Sequence, residues 1–410
     1  MSELKVVSLE ECLEKVIDYR GRTPKKLGKD WLKDGEYRAI SANNVKFDGL
    51  IREESIYRGD EELYKLWMKD EVERGDILLT SEAPSGQAMI WNSDEKIILS
   101  QRLYALRVNK NLVDNNYLKY FIQSPIGQKS IVRNNSGSTV SGISAKTFKN
   151  IKILIPDIEK QQAISKILLA IDQKIQINNQ INQELEAMAK TLYDYWFVQF
   201  DFPDQNGKPY KSSGGKMVYN PELKREIPEG WGVEKLGDIT ICHDSKRVPL
   251  SSNDRELVKG EIPYYGATGI MDYVNDYIFD GDYVLMAEDG SVMTEKGTPI
   301  LQRISGKNWV NNHAHVLEPI KNHSCKLLMM LLKDVSVMKI KTGSIQMKIN
   351  QENMNKIVVP AIPLELLSEI NQKLEVIDKQ QLNLIEENKQ LTKLRDWLLP
   401  MLMNGQVKVE

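Results

Sequence analysis

At 410 residues, 41% hydrophobic and with a formal net charge of −2, the chain is long enough for two or three domains and apolar enough to fill two ordinary cores. The near-neutral balance excludes a chain-wide basic footprint. Cys12, Cys242 and Cys325 are scattered with no CxxC spacing, which argues against a disulfide framework or a zinc site and suits a reducing cytoplasm. The start, MSELKVVSLEECLEKV, lacks the basic, apolar, small-residue order of a signal peptide, and no run of about 18 apolar residues occurs, so a soluble cytoplasmic protein is expected.

Residues 1–155 read as a mixed, mainly β domain. Short apolar runs at Asp76–Thr80 and Ile97–Val108 are bounded by turn residues, as strands are. The stretch around Tyr117–Ile122 reads as part of a short helix. Arg133–Gly142 (RNNSGSTVSG) is too polar and Gly-rich for an element interior and predicts a loop. Ile151–Pro156 predicts a strand ended by proline, after which Asp157 is placed to cap a helix. Charge is unevenly spread: Arg20–Lys33 holds six basic residues against one acid, and Asp48–Asp76 holds ten acids, so one face of this domain is expected to be basic.

From Pro156 to Phe197 the pattern changes. Apolar residues fall at Ile164, Leu168, Ile171, Ile175, Leu185 and Leu192, with spacings of three and four along much of the run. That is the seam of a coiled coil. A reworked copy, Pro363 to Pro400, places Leu367, Ile370, Leu374, Ile377, Leu384 and Leu391 in the same way. Each helix, roughly 40 residues at about 1.5 Å per residue, would be on the order of 60 Å long. Asn178, Asn182, Gln381 and Asn388 interrupt the seams, and polar residues there fix register at a cost in stability. A pseudo-twofold relation between the copies favours antiparallel packing.

After the first helix, residues 199–230 are dense in Pro, Gly and Ser and read as a central linker, with Phe200, Phe202 and Tyr210 suited to packing on something. Residues 231–360 repeat the first plan. Gly75–Thr80 lines up with Gly281–Met286, followed by Glu82 and Glu288, and Ala39–Asn43 lines up with Tyr264–Thr268. Gly137–Ser138 before Ile143 lines up with Gly343–Ser344 before Ile349.

Tyr195-Trp-Phe197 followed by FDFP (Phe200–Pro203), GKPYKSSGG (Gly207–Gly215), IPEGW (Ile227–Trp231) and KLGD (Lys235–Asp238), set between two domain-plus-helix repeats, resembles the specificity subunit of type I restriction-modification systems. The resemblance spans essentially the whole chain. It implies an α+β fold of two globular, mainly β target recognition domains, 1–155 and 231–360, separated by two long antiparallel coiled-coil helices, 156–198 and 361–410, the latter including a short tail. Each recognition domain would read one half of a split double-stranded DNA site, with the helices setting the gap. Two modification subunits, which carry S-adenosylmethionine and methylate adenine, would dock along the helices and central region, and restriction subunits would join that core. This chain would itself hold no cofactor and perform no catalysis.

On mechanism the residues agree. A two-domain reader with a stiff spacer can hold two half-sites at fixed separation, with Lys and Arg on phosphates and amide, hydroxyl and basic side chains at base edges. The candidates in the first domain are Arg20, Arg22, Lys25 and Lys26 for the backbone, and Asn43, Asn44, Ser136, Ser138 and Thr139 in loops. Their counterparts in the second are Lys246, Arg247, Thr268, Lys341, Ser344, Gln346 and Lys348. Tyr195, Trp196, Phe197, Trp397, Leu398 and Met401 are more apolar than a two-helix seam needs and are candidates for contact with modification subunits, with packing against a neighbouring domain as the competing role.

Other signals point away from catalysis. Pro156-Asp157-Ile-Glu159-Lys160 compresses a nuclease-like carboxylate and lysine set into a helix start, and no equivalent stands at Pro360. His313-Ala-His315 has two metal-ligand side chains but no third ligand identifiable nearby, so a structural or DNA-facing role is expected. Asn220-Pro-Glu-Leu is not the set that holds a flipped adenine, and neither a methyl-donor Gly loop nor a P-loop occurs. A coiled-coil scaffold binding only protein is the alternative; it does not readily explain duplicated domains with divergent basic loops.

Overall fold

The computed structural model describes residues 4–135, 142–343 and 347–407. The chain divides into two units: Met1–Asn179 with Glu386–Glu410, and Gln180–Ile385. Both long helices contribute to both units.

In the first unit a four-stranded antiparallel sheet runs in the order Leu13–Asp18, Leu103–Val108, Ile77–Thr80, Ala88–Ile90. Leu103–Val108 is its central strand and is buried except at Arg107, so it reads as a continuous apolar run and not as an alternation. One side of this sheet packs on the helix Asn115–Gln123 and on Ile164 and Leu168 of the long helix. The other packs on a smaller sheet, Tyr57–Gly59, Tyr37–Ile40 and Ile98–Leu99, whose last pair runs parallel. Lys5–Ser8 pairs with Lys152–Ile155.

The second unit repeats this order. Thr240–Cys242, Ala314–Pro319, Tyr283–Ala287 and Leu301–Ile304 form the four-stranded sheet. Lys259–Tyr265 pairs parallel with Lys307–Val310 in the smaller one, and Gly232–Lys235 closes on Val358–Ala361. The short helix after the central strand is capped alike in both units. Asp114 accepts from the Tyr117 amide and Ser324 from the Leu327 amide, satisfying donors that a helix start leaves open.

The first long helix spans Ile158–Tyr193 and ends in a π-helical turn, Asp194–Val198; Asp157 caps it by accepting from the Lys160 amide at 3.0 Å. The second spans Leu364–Met403. Pro400 lies inside it. The chain continues because Leu399, Leu402 and Met403 bury in the first unit's core, which outweighs the one backbone hydrogen bond a proline removes.

Within each unit the helix segments run antiparallel, as the pseudo-twofold relation between the copies favours. In the first, Asp172 meets Arg395 at 3.1 Å while Asn178 donates to Glu387 at 2.8 Å and Asn388 at 2.9 Å. In the second, Gln381 donates to the Asn182 carbonyl at 3.1 Å, and its side-chain oxygen accepts from Lys326 at 2.8 Å. The side chains of Asn178, Gln381 and Asn388 are thus paired across the helices, the arrangement that fixes register.

One local reading needs correction. Ile97–Val108 is not one strand: it breaks at Ser100–Arg102, where Arg102 adopts a left-handed φ of 61°, because Ile98–Leu99 serves the small sheet and Leu103–Val108 the large one. Residues 199–230, read as a linker with aromatic residues suited to packing, do pack. They contain a hairpin, Met217–Asn220 with Arg225–Pro228, and Phe200, Phe202 and Ile227 are buried in the second unit's core. Phe202 stacks between Tyr210 at 4.8 Å and Trp231 at 5.3 Å. Among the motif residues that carry the family resemblance, Trp196, Phe197, Phe200, Phe202, Ile227 and Leu236 are therefore core residues.

Candidate nucleic-acid interface

The basic stretch of the first unit folds as a short 3-10 helix, Pro24–Leu27, started by a Thr23 cap and ended by Gly28 in the left-handed region. Its two arginines are engaged in the fold. Arg20 pairs with Asp18 at 2.9 Å and lies over the Tyr104 ring at 4.2 Å. Arg22 donates to the carbonyls of Leu66 and Trp67 and covers Tyr19 at 4.5 Å. Lys25 and Lys26 are exposed, and Lys26 also reaches the Gly21 carbonyl at 2.7 Å. The acidic run is largely neutralised within the unit: Glu53 by Arg38, Glu62 by Lys29, and Glu71 by Lys96.

Of the two loop asparagines, Asn44 is buried, capping its own turn with Ser41 and donating to the Ile51 carbonyl at 3.3 Å. Asn43 is exposed. It lines a cavity of about 290 Å³ together with Trp31, Tyr57, Gln101 and Arg102. Trp31 and Tyr57 stack there with ring centroids 5.8 Å apart and planes 10° from parallel, offering aromatic faces beside amide and guanidinium donors. Ser136, Ser138 and Thr139 lie outside the described residues, as do Ser344 and Gln346.

In the second unit Lys246 and Thr268 are exposed, and Lys341 is half-buried. Arg247 is not at the surface. Its guanidinium meets Glu288 at 2.6 Å and Asp244 at 3.3 Å and donates to the Ala314 carbonyl at 2.8 Å. Lys348 completes the network at 2.9 Å from the other Glu288 oxygen. The two histidines separate. His315 is buried, with Nδ1 2.5 Å from Asp244 and Nε2 2.8 Å from the Ile349 carbonyl. His313 is exposed, with Nδ1 2.5 Å from Asp289.

Folding does bring further donors to His315. Cys242, Asp244 and His315 hold donor atoms within 4.8 Å of one another. Burial, aided by Asp244, pushes the Cys242 thiol up to about 12. Arg247 supplies the positive charge at the same carboxylates. Burial alone would raise Asp244, but the hydrogen bond and charge of His315, with Arg247, hold its carboxyl below the usual range. The cluster is an internal ion-pair network bracing the central strand.

At the helix ends, Trp196 and Phe197 are buried in the second unit's core, so packing is the role these two side chains fill. Tyr195 and Trp397 are 38% and 56% exposed, and Leu398 and Met401 are half-buried. No helix among the described residues is long and apolar enough to cross a membrane.

Trp31, Tyr57, Gln101, Arg102, Asn312 and Asp289 were not singled out from sequence. The repeat held the signal, but with Thr80 set against Met286 the copies are one residue out of step. Strand pairing sets Thr80 opposite Leu103 and Ala287 opposite Ala314, so Glu82 matches Asp289, and the buried Glu288 matches Ser81. A one-residue slip moves a side chain to the other face of a strand, so matching Thr80 to Met286 pairs the half-buried Glu82 with the buried Glu288.

Two β-rich units built on one plan, each sharing in two long helices, define a tandemly duplicated α+β protein. The chain belongs to the family described as the type I restriction modification DNA specificity domain, which matches residues 1–187 and 228–393. It is 26% identical over 358 residues to the type I restriction enzyme MjaIX specificity subunit of Methanocaldococcus jannaschii, covering 82% of this chain and 78% of that one. It is 24% identical over 419 residues to the HindI specificity subunit of Haemophilus influenzae, covering 83% and 88%. Its fold is shared with the type I restriction-modification S subunit from M. genitalium, at a TM-score of 0.56 and 16% identity over 98% of this chain and 96% of that one.

Proposed function

We propose that the chain is the DNA-reading specificity subunit of a type I restriction-modification complex, in which each β-rich unit recognises one half of a split double-stranded DNA site. Catalysis resides in other chains: two modification subunits methylate adenine, and restriction subunits cleave. The observation that carries this reading is the duplication itself. Two units of family-matched fold present different side chains from equivalent loops, which is what reading two different half-sites requires. Exposed Lys25, Lys26 and Lys246 supply phosphate contacts. Asn43 and Thr268 stand at base-reading positions, and Tyr195, Trp397 and Met401 form part of the surface offered to modification subunits.

The test is a base-resolution methylation map of DNA from cells expressing this chain with the methyltransferase encoded beside it, against cells lacking the chain. Methyladenine appearing only with the chain, at a split motif with a fixed gap, supports the reading. Identical maps, with active methyltransferase and a soluble complex present, overturn it in favour of a protein scaffold.

A further inference from the structure

The two units share one corner down to individual backbone hydrogen bonds. In the first, the Ser81 amide donates to the Arg102 carbonyl at 2.9 Å, Ile143 to Ser81 at 2.8 Å, and Ser100 to Ile40 at 2.8 Å. In the second, Glu288 donates to His313 at 2.9 Å, Ile349 to Glu288 at 2.8 Å, and Asn311 to Tyr265 at 3.0 Å. These bonds equate Gln101-Arg102 with Asn312-His313, and Glu82 with Asp289. All four residues of the two dipeptides are exposed. They sit where the chain leaves the small sheet and enters the central strand of the large one.

At each corner the second residue of the dipeptide is tethered to the matching acid. Arg102 Nε lies 3.4 Å from Glu82, and His313 Nδ1 lies 2.5 Å from Asp289. Stability does not explain the arrangement, because exposed ion pairs contribute little and Arg102 also holds a left-handed φ of 61°, a conformation that disfavours a long side chain. What a tether does is remove rotamer freedom before a ligand arrives. The Arg102 pair engages Nε, and among the described residues no other side-chain partner competes for its two terminal nitrogens, the fork that fits guanine O6 and N7. Gln101 and Asn43 line the same cavity as Arg102 and add amide groups of the kind that read adenine.

We infer that Arg102 and His313 are equivalent base-reading residues, one in each unit, held toward the DNA by Glu82 and Asp289. This rests on the proposed DNA-reading function and names the side chains that perform it. A guanidinium on one corner and an imidazole on the other give the two half-sites different preferences from one backbone geometry. Arg102 selects guanine, and His313 a purine acceptor edge.

The experiment uses the full chain in complex with its methyltransferase and compares methylation maps for the parent, Arg102→Ala, His313→Ala, Glu82→Gln and the control Lys110→Ala, an exposed residue past the far end of the central strand. Arg102→Ala is expected to relax one base position in one half-site, with roughly 5- to 100-fold loss of discrimination there, while the other half keeps its sequence. His313→Ala does the reverse, Glu82→Gln weakens the Arg102 position more mildly, and Lys110→Ala leaves both motifs intact. If the parent yields no split motif, the DNA-reading function itself fails. If the parent yields one and folded Arg102 and His313 variants leave both halves unchanged, or lose methylation evenly at all sequences, the assignment is overturned and the function stands. Should Arg102→Ala unfold the chain, Glu82→Gln and Arg102→Lys decide in its place.

Discussion

Replacing Trp196 and Trp397 separates core from surface at two tryptophans that sequence alone treats alike. Trp196 is 3% exposed, within the cluster formed with Phe197, Leu236 and Leu367, and Lys373 lies over its ring at 6.0 Å. A buried aromatic of this size removes about 150–250 Å² from water, which at about 25 cal/mol per Å² is roughly 4–6 kcal/mol. Truncation to alanine keeps part of that, so Trp196→Ala is expected to cost about 3–5 kcal/mol. For a unit of about 200 residues this lowers Tm by roughly 6–20 °C. Trp397, 56% exposed, should lose no more than about 0.5 kcal/mol on the same change. Calorimetry and urea unfolding of the full chain read both, and co-purification with the modification subunit reads the second role of Trp397. A Trp196→Ala chain within about 1 kcal/mol of the parent would refute the burial argument.

Further outcomes follow from the polar interior. Arg247→Ala leaves Glu288 with Lys348 and Asp244 with His315 as remaining partners and should cost about 1–3 kcal/mol by urea unfolding, whereas Lys246→Ala should be near neutral. Glu288 resembles Asp244: burial would raise it, but Arg247 and Lys348 hold it below the ordinary carboxylate range. With folded values depressed, their stabilisation is complete above about pH 4–5 and is lost as pH falls through the depressed values. The drop in urea midpoint between pH 7 and pH 3.5 should therefore shrink in Arg247→Ala. Asn178→Ala leaves the Glu387 and Asn388 acceptors without their donor and should cost about 1–3 kcal/mol. Lys25→Gln and Lys246→Gln should each lower the slope of log K against log salt by about 1 without altering the preferred sequence, measured by DNA-binding titration of the assembled complex.

The long helices were legible because a repeat of three and four apolar spacings has no strand equivalent, and Ile164, Leu168, Leu367 and Ile370 are buried as that pattern requires. The duplication was legible from its strands. The corner residues were not, because Gln101-Arg102 and Asn312-His313 share no residue type and only backbone bonding equates them. The misplaced expectations at Arg22, Asn44 and Arg247 have a common cause. A polar side chain in a basic or amide-rich loop looks available, yet Arg22 and Asn44 satisfy backbone carbonyls, and Arg247 neutralises buried carboxylates. Such partners lie tens of residues away, beyond the reach of local pattern.

The first unit is completed by Glu386–Glu410, while Gln180–Ile385 forms the second without interruption. Translation therefore delivers the units in inverted order. When the ribosome has made everything up to Ile385, the second unit possesses all its parts, but the first still lacks Leu399, Leu402 and Met403 from its core. Synthesis ordinarily lets the N-terminal body finish first. Here the first unit's core has all its side chains only once the last helical turns, carrying Leu399, Leu402 and Met403, have been made.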